Sequence, residues 1–165
     1  MPTFSNIVLF ITTILSALMA GLFYAWSISV MPGLARISDR AFIEAMQGMN
    51  RAILNPVFFI AFIGCVFLLP ASAWLSFNRP VSLRFMLVLA AAAVYLVGVF
   101  GVTAAGNVPL NESLDKFQLA GAASEDLATF RRHFEASWNR FNQVRTVAAF
   151  VVLLLMVAAC WWREV

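Results

Sequence analysis

Charge is scarce in this chain. Of its 165 residues 12% are Asp, Glu, Lys or Arg, roughly half the share in a soluble domain, and 62% are hydrophobic. Histidine occurs once, as His133, and cysteine twice, as Cys65 and Cys160. With one imidazole and no Cys-x-x-Cys, a zinc or di-iron centre has almost no ligands to draw on, so neither metal nor cofactor is expected. The two cysteines fall at membrane depths that differ by roughly 10 Å, too far apart for a disulfide. A net charge of +3 and a pI near 9.4 would suit a nucleic-acid partner. The basic residues, however, flank apolar runs and form no module of their own, which excludes one.

The apolar residues are gathered into four long runs. Ser5 to Met31 and Pro56 to Phe77 carry no charge, nor does Phe85 to Gly106, and Val144 to Trp162 carries only Arg145. Each reaches the roughly 20 residues that a helix needs to cross the hydrocarbon core. In a bilayer every backbone group must be satisfied internally, so such runs are helices. The reading is an all-α, single-domain bundle of four transmembrane helices, with spans near residues 5–31, 56–77, 83–106 and 143–162. No basic residue precedes the first run and no small-residue cleavage site follows it, so it reads as a retained helix rather than a signal peptide.

The links alternate in size. Asn78 to Arg84 is short, Pro32 to Asn55 medium and Asn107 to Gln143 long. Four spans place both termini and the short link on one face, the simple face, and the other two links on an elaborate face. Additional amphipathic helices are expected there. In the first link Asp39 reads as an N-cap, with Phe42, Met46, Met49 and Ile53 at helical spacing. Asn55-Pro56 reads as the cap and first residue of the second span. In the third link Gly106-Asn107 is expected to stop the third span, with Val108-Pro109-Leu110 extended. Asn111 then caps a short helix that ends at Gly121, and Ser124 caps the next. No Gly or Pro follows Ala122, so the last helix can run unbroken from about Glu125 for roughly 55 Å. Ala17 and Gly21 form a small-xxx-small pair expected to mark close helix packing. The elaborate face holds eight of the eleven basic residues and seven of the eight acids. The simple face has Arg79, Arg84 and Arg163 in very short segments, which weighs toward termini on the cytoplasmic side.

Uncommon residues for a membrane span converge near the elaborate face. Tyr24, Trp26, Ser27 and Ser29 end the first span, Gln47 and Asn50 lie in the first link, and Thr103, Asn107 and Asn111 end the third. At about 100° per residue, Glu135, Trp138, Asn142 and Arg145 share one stripe of the last helix, and His133 points away from it. Each has a bland explanation: aromatic residues anchor at interfaces, Asn caps helices and Arg snorkels. Trp161 and Trp162 read as such anchors. The cluster as a whole exceeds what anchoring needs, and intramembrane polar groups default to function.

Four segments carry a resemblance: GLFYAWSISVMPGL, FIEAMQGMNRAILNPVF, GNVPLNESL and FEASWNRFNQVRT. In this order they are similar to the DUF1772, or anthrone oxygenase, family. GNVPLN followed by W-x3-N-x2-R is the most specific part. The resemblance implies a four-span membrane protein, expected in a bacterial inner membrane. It also implies, for some members, oxidation of an anthrone to an anthraquinone by O₂ without metal or flavin. The expected function is a cofactor-independent oxygenase of a lipophilic, phenolic or enolisable substrate. Glu135 would be the base and Arg145 the anion holder. Gln47, Asn50, Asn107, Asn111 and Asn142 would orient oxygens, and Tyr24, Trp26 and Trp138 would stack on rings. The alternative is a non-enzymatic membrane protein that binds a lipid, quinone, haem-like ligand or protein partner. There the polar stripe is structural and Arg145 pairs with Glu135 or a helix carbonyl. A channel or transporter is the weaker third class. Expected partners are bilayer lipids, a lipophilic small molecule and a second copy of the chain.

Overall fold

The computed structural model describes residues 3–162, and Arg163, counted above on the simple face, lies outside them. Four helices are long and apolar enough to cross a membrane: α1 (Phe4–Leu34), α3 (Pro56–Leu75), α4 (Leu83–Lys116) and α5 (Ser124–Trp161). A shorter helix, α2 (Asp39–Ala52), lies between the first two. Only 28–33% of each span's most apolar window is buried within the chain. The rest is half-buried or exposed, which suits a helix whose solvent is lipid. The expected all-α, four-span bundle is therefore the observed one, and the protein is an integral membrane protein.

The spans pack as a bundle because small residues let the backbones approach. A Cβ on Gly98 of α4 would come within 2.7 Å of Ala148 Cβ on α5, and one on Gly106 within 2.8 Å of the Phe141 ring. Gly64 of α3 faces Leu15 of α1 in the same way, at 3.1 Å. Ala91, Ala92, Ala149 and Ala159 are buried alongside. Gly21 is exposed and has nothing within 4 Å of its Cβ position, so the Ala17/Gly21 pair does not mark a contact inside the bundle.

A second core sits on the elaborate face. Phe42, Ile43 and Met46 of α2 pack with Leu114 of α4 and with Leu127, Phe134 and Trp138 of α5. This is the amphipathic face of α2 finding its partner. α5 is long enough for this second role: at 38 residues it extends about 57 Å, from the far membrane face through the span and into the second core. Gln47 secures the join, its Nε2 donating to Leu114 O at 2.8 Å and to Phe117 O at 2.9 Å. Phe117 O lies just past the helix end, and Leu114 O also accepts from Phe117 N–H at 3.2 Å, so Gln47 clamps the last turn of α4.

The helix boundaries depart from the sequence reading in particular places. Asn55 caps α3 as expected, accepting from Phe58 N–H. α2 is capped by Ser38, whose Oγ accepts from Ala41 N–H, and Asp39 is its first helical residue. α5 begins after Ala123 with no side-chain cap, so Ser124 lies inside it. The largest correction concerns residues 106–116. The third span does not stop at Gly106-Asn107, residues 108–110 are helical, and Asn111 lies inside α4 rather than capping a separate helix. Gly121 sits in the following turn, with a φ of +77° that favours glycine.

Candidate functional site

Near the elaborate face the spans change pitch. Trp26–Val30 of α1 and Tyr95–Gly101 and Thr103–Asn107 of α4 are π-helical. Two of these stretches are followed closely by a proline inside the same long helix, Pro32 and Pro109. Proline lacks an N–H and crowds the carbonyl one turn back. A wider turn just before it absorbs both conflicts, so the helix continues. The widened turns carry Trp26, Ser27, Thr103 and Asn107, and these are the residues that meet the polar stripe of α5.

Arg145 is the centre of that meeting. Its side chain is only 7% exposed, although it sits within a span. Its Nη2 donates to Asn142 Oδ1 at 2.8 Å, and its Nη1 lies 3.5 Å from Thr103 Oγ1. The guanidinium stands 4.7 Å from the Phe23 ring centre and 5.4 Å from that of Trp138, where ring quadrupoles replace part of the lost hydration. Asn142 Nδ2 donates to Ser27 Oγ at 2.9 Å, Ser27 pairs with Thr146 at 2.8 Å, and Thr146 Oγ1 also donates to Asn142 O. Trp138 donates from Nε1 to Asn111 Oδ1 at 3.0 Å and lies against Trp26, their ring centres 5.1 Å apart. The site therefore joins α1, α4 and α5.

One part of this network is incomplete. Arg145 Nε, Asn50 Nδ2 and both polar atoms of the Asn107 amide are buried without a hydrogen-bond partner. Thr103 meets Arg145 and Asn111 meets Trp138, so in these antiparallel helices Asn107 falls one turn from each contact, between them. It is 1% exposed. Buried polar groups are paired in the great majority of cases, so the two unpaired donors and one acceptor of Arg145 and Asn107, on facing helices, are a strong departure.

A cleft of about 230 Å³ opens beside the network, lined by Ser27, Met31, Pro32, Ala35, Glu135, Asn139, Asn142 and Gln143. Asn142 lies between the cleft and Arg145. Glu135 stands at the cleft but does not pair with Arg145, contrary to the structural alternative above. Its Oε2 accepts from Arg131 Nε at 2.9 Å. Arg131 also bonds Asp39 and the carbonyls of Leu34, Ala35 and Ile37. It thus closes the end of α1 and the start of α2 onto α5.

The structure brings Trp26, Asn107, Asn111, Trp138, Asn142 and Arg145 together and places Glu135 at the adjoining cleft. It puts Gln47 to work on the end of α4, as described. Asn50 lies with Asn111 on a separate groove of about 290 Å³. Tyr24 is 45% exposed, edge-on to Phe150, and takes no part in the network. His133 is exposed, with Nδ1 near Thr129 O. Arg131 and Thr146 carry structural roles that sequence reading missed. Each has one partner a turn away on the same helix, Glu135 and Asn142, but the rest lie roughly ninety residues and more away, where no local spacing signals them.

The anthrone oxygenase family matches residues 49–155, more than half of the chain. The chain belongs to the anthrone oxygenase family. The matched region contains Asn107, Asn111, Trp138, Asn142 and Arg145, and thus the α4 and α5 sides of the site. It leaves out Trp26 and Ser27 on α1. No curated relative and no solved structure matches the chain.

Proposed function

We propose that the protein is a membrane oxygenase that oxidises a lipophilic, phenolic or enolisable substrate with O₂ at the Arg145 network. The single observation behind this is the unpaired set of Arg145 Nε and the Asn107 amide, buried among aromatic rings. Donors held ready in a dry site favour a substrate on which negative charge develops. Loss of a proton from an activated C–H gives such an anion, an enolate or phenolate. The carbanionic carbon donates electrons to O₂ and forms a C–O bond. The resulting hydroperoxide loses water as a second C–H proton leaves and the O–O bond breaks, giving the ketone. One O₂ is consumed and one water released.

In this scheme the substrate enters from the cleft and displaces the Asn142 amide from Arg145, so that Arg145 and Asn107 hold its oxyanion and Trp26 and Trp138 border its rings. Glu135, at the mouth of the cleft, takes the proton, and Arg131 fixes its position. The volume of the cleft, below the usual 300–1,000 Å³ of ligand pockets, suits a compact planar molecule. The test is O₂ uptake by the detergent-purified protein supplied with anthrone. Arg145→Gln is expected to lower turnover by about 10²–10³, the usual cost of one oxyanion donor, and Glu135→Gln to abolish it. Unchanged turnover in both variants sinks the scheme. If Arg145→Gln instead mainly lowers the melting temperature, the non-enzymatic alternative is favoured.

The expected setting is a bacterial inner membrane with the termini in the cytoplasm, because the short segments of the simple face carry arginine. A C-terminal green fluorescent protein fusion tests this, since fluorescence is retained only on the cytoplasmic side.

A further inference from the structure

A groove near the opposite end of the bundle has a different character. It lies between α3 and α4 toward the simple face, with a volume of about 530 Å³, and is lined by Pro70, Ala73, Trp74, Phe77, Phe85, Leu89, Ala92, Ala93 and Leu96. Every lining residue is apolar. Alanines on both helices leave the floor open, and Trp74, 79% exposed, stands at the rim. From Phe85 to Leu96 the groove runs along α4 for about 16 Å, close to the ~15 Å of one leaflet. A second copy of a spanning helix would need a contact running through both leaflets. A furrow confined to one leaflet fits a single acyl chain.

The chain just beyond Phe77, at the end of the groove, carries charge. The short link that follows α3 holds Arg79, exposed and paired with no described carboxylate. Arg84, by contrast, is committed to Ala159 O, Asn6 Oδ1 and Trp162 O at the end of α5. The described residues of this face include no Asp or Glu. Arg79, two residues past Phe77 at the end of the groove, therefore meets the headgroup layer with no described carboxylate paired to it.

We propose that this groove is a binding site for an anionic phospholipid, with one acyl chain lying along Ala73, Ala92 and Ala93 and the phosphate at Arg79. The site is independent of the oxygenase reading.

Native mass spectrometry of the full chain in detergent, with added phosphatidylglycerol or phosphatidylcholine, tests it. The wild type is expected to retain phosphatidylglycerol in preference. Arg79→Gln should weaken that retention about fivefold, the worth of one basic residue at an anionic surface, and leave phosphatidylcholine unchanged. Ala93→Trp, which fills the groove, should lower retention of both lipids, whereas Val147→Trp on exposed surface elsewhere should not. Circular dichroism checks that each variant is folded, and Ala93→Phe replaces Ala93→Trp if the latter is not. Equal retention of the two lipids by the wild type overturns the proposal. So does retention that Ala93→Trp leaves intact, or a dimer that Ala93→Trp dissociates.

Discussion

The two ends of the bundle treat buried polar groups in opposite ways. Toward the simple face they are mostly paired. Thr12 Oγ1 donates to Val8 O and meets Ser72 Oγ at 2.9 Å, and Ser16 Oγ donates to Thr12 O. Tyr95, deeper in the bundle, donates from its hydroxyl to Phe62 O at 2.8 Å. Ser76 Oγ is the exception. These hydroxyls all reach backbone carbonyls, those of Thr12 and Ser16 within their own regular helix and that of Tyr95 across to α3, and they lock the spans. Toward the elaborate face the helices widen into π turns, and a guanidinium and a carboxamide keep unpaired atoms in the interior. Polar burial at the first end is a packing device. At the second it leaves interaction capacity unused, which a protein retains at a cost and which a ligand can use.

That contrast can be broken by three substitutions. The largest stability effect is expected outside the membrane core, at Arg131→Ala. This removes a nearly buried guanidinium with two carboxylate partners and three carbonyl partners and should cost on the order of 3 kcal/mol. Hydrogen exchange should show the 35–38 link and the start of α2 opening, with the spans still protected. Uniform loss of protection would mean that the two ends are not separable. Next is Asn107→Leu. If its amide is truly unpaired, this variant should be more stable by about 1–2 kcal/mol, seen as a raised melting temperature in detergent, and inactive in O₂ uptake. A lowered melting temperature would show the amide to be satisfied and remove the contrast. The smallest is Tyr95→Phe, which removes one paired hydroxyl. It should cost about 1 kcal/mol and leave turnover as it was.

Much of the fold was legible before the structure. Four uncharged runs demand four helices in lipid, Asn55-Pro56 marks a helix start by its own chemistry, and the stretch after Ala122 has nothing to break a helix. The stripe of Trp138, Asn142 and Arg145 followed from helical spacing alone. The errors at residues 106–111 share one cause. Gly106-Asn107 and Pro109 are local stop signals, and α4 passes through them because its turns widen and α5 packs against it. A 3.6-residue period cannot register an extra residue in a turn. The signal available was a proline closely following the polar end of an apolar run, at Pro32 and again at Pro109. Glu135 fell on the expected stripe, and of the two partners left open for Arg145 it is not one, because Arg131 is one turn away and binds it.

The sequence by itself determined that this protein lives in a membrane, how many times it crosses, and which face gathers its polar residues. Hydrophobic length and backbone satisfaction decide those matters, and both are properties of contiguous residues. Only the tertiary structure decided that Arg145 sits inside rather than snorkelling, that Asn107 lies between two hydrogen-bonded contacts with none of its own, and that Arg131 takes Glu135. Those outcomes depend on which side chains of α1, α4 and α5 stand opposite one another. Helix register is set by close packing at Gly98, Gly106 and their neighbours, between residues far apart in the chain.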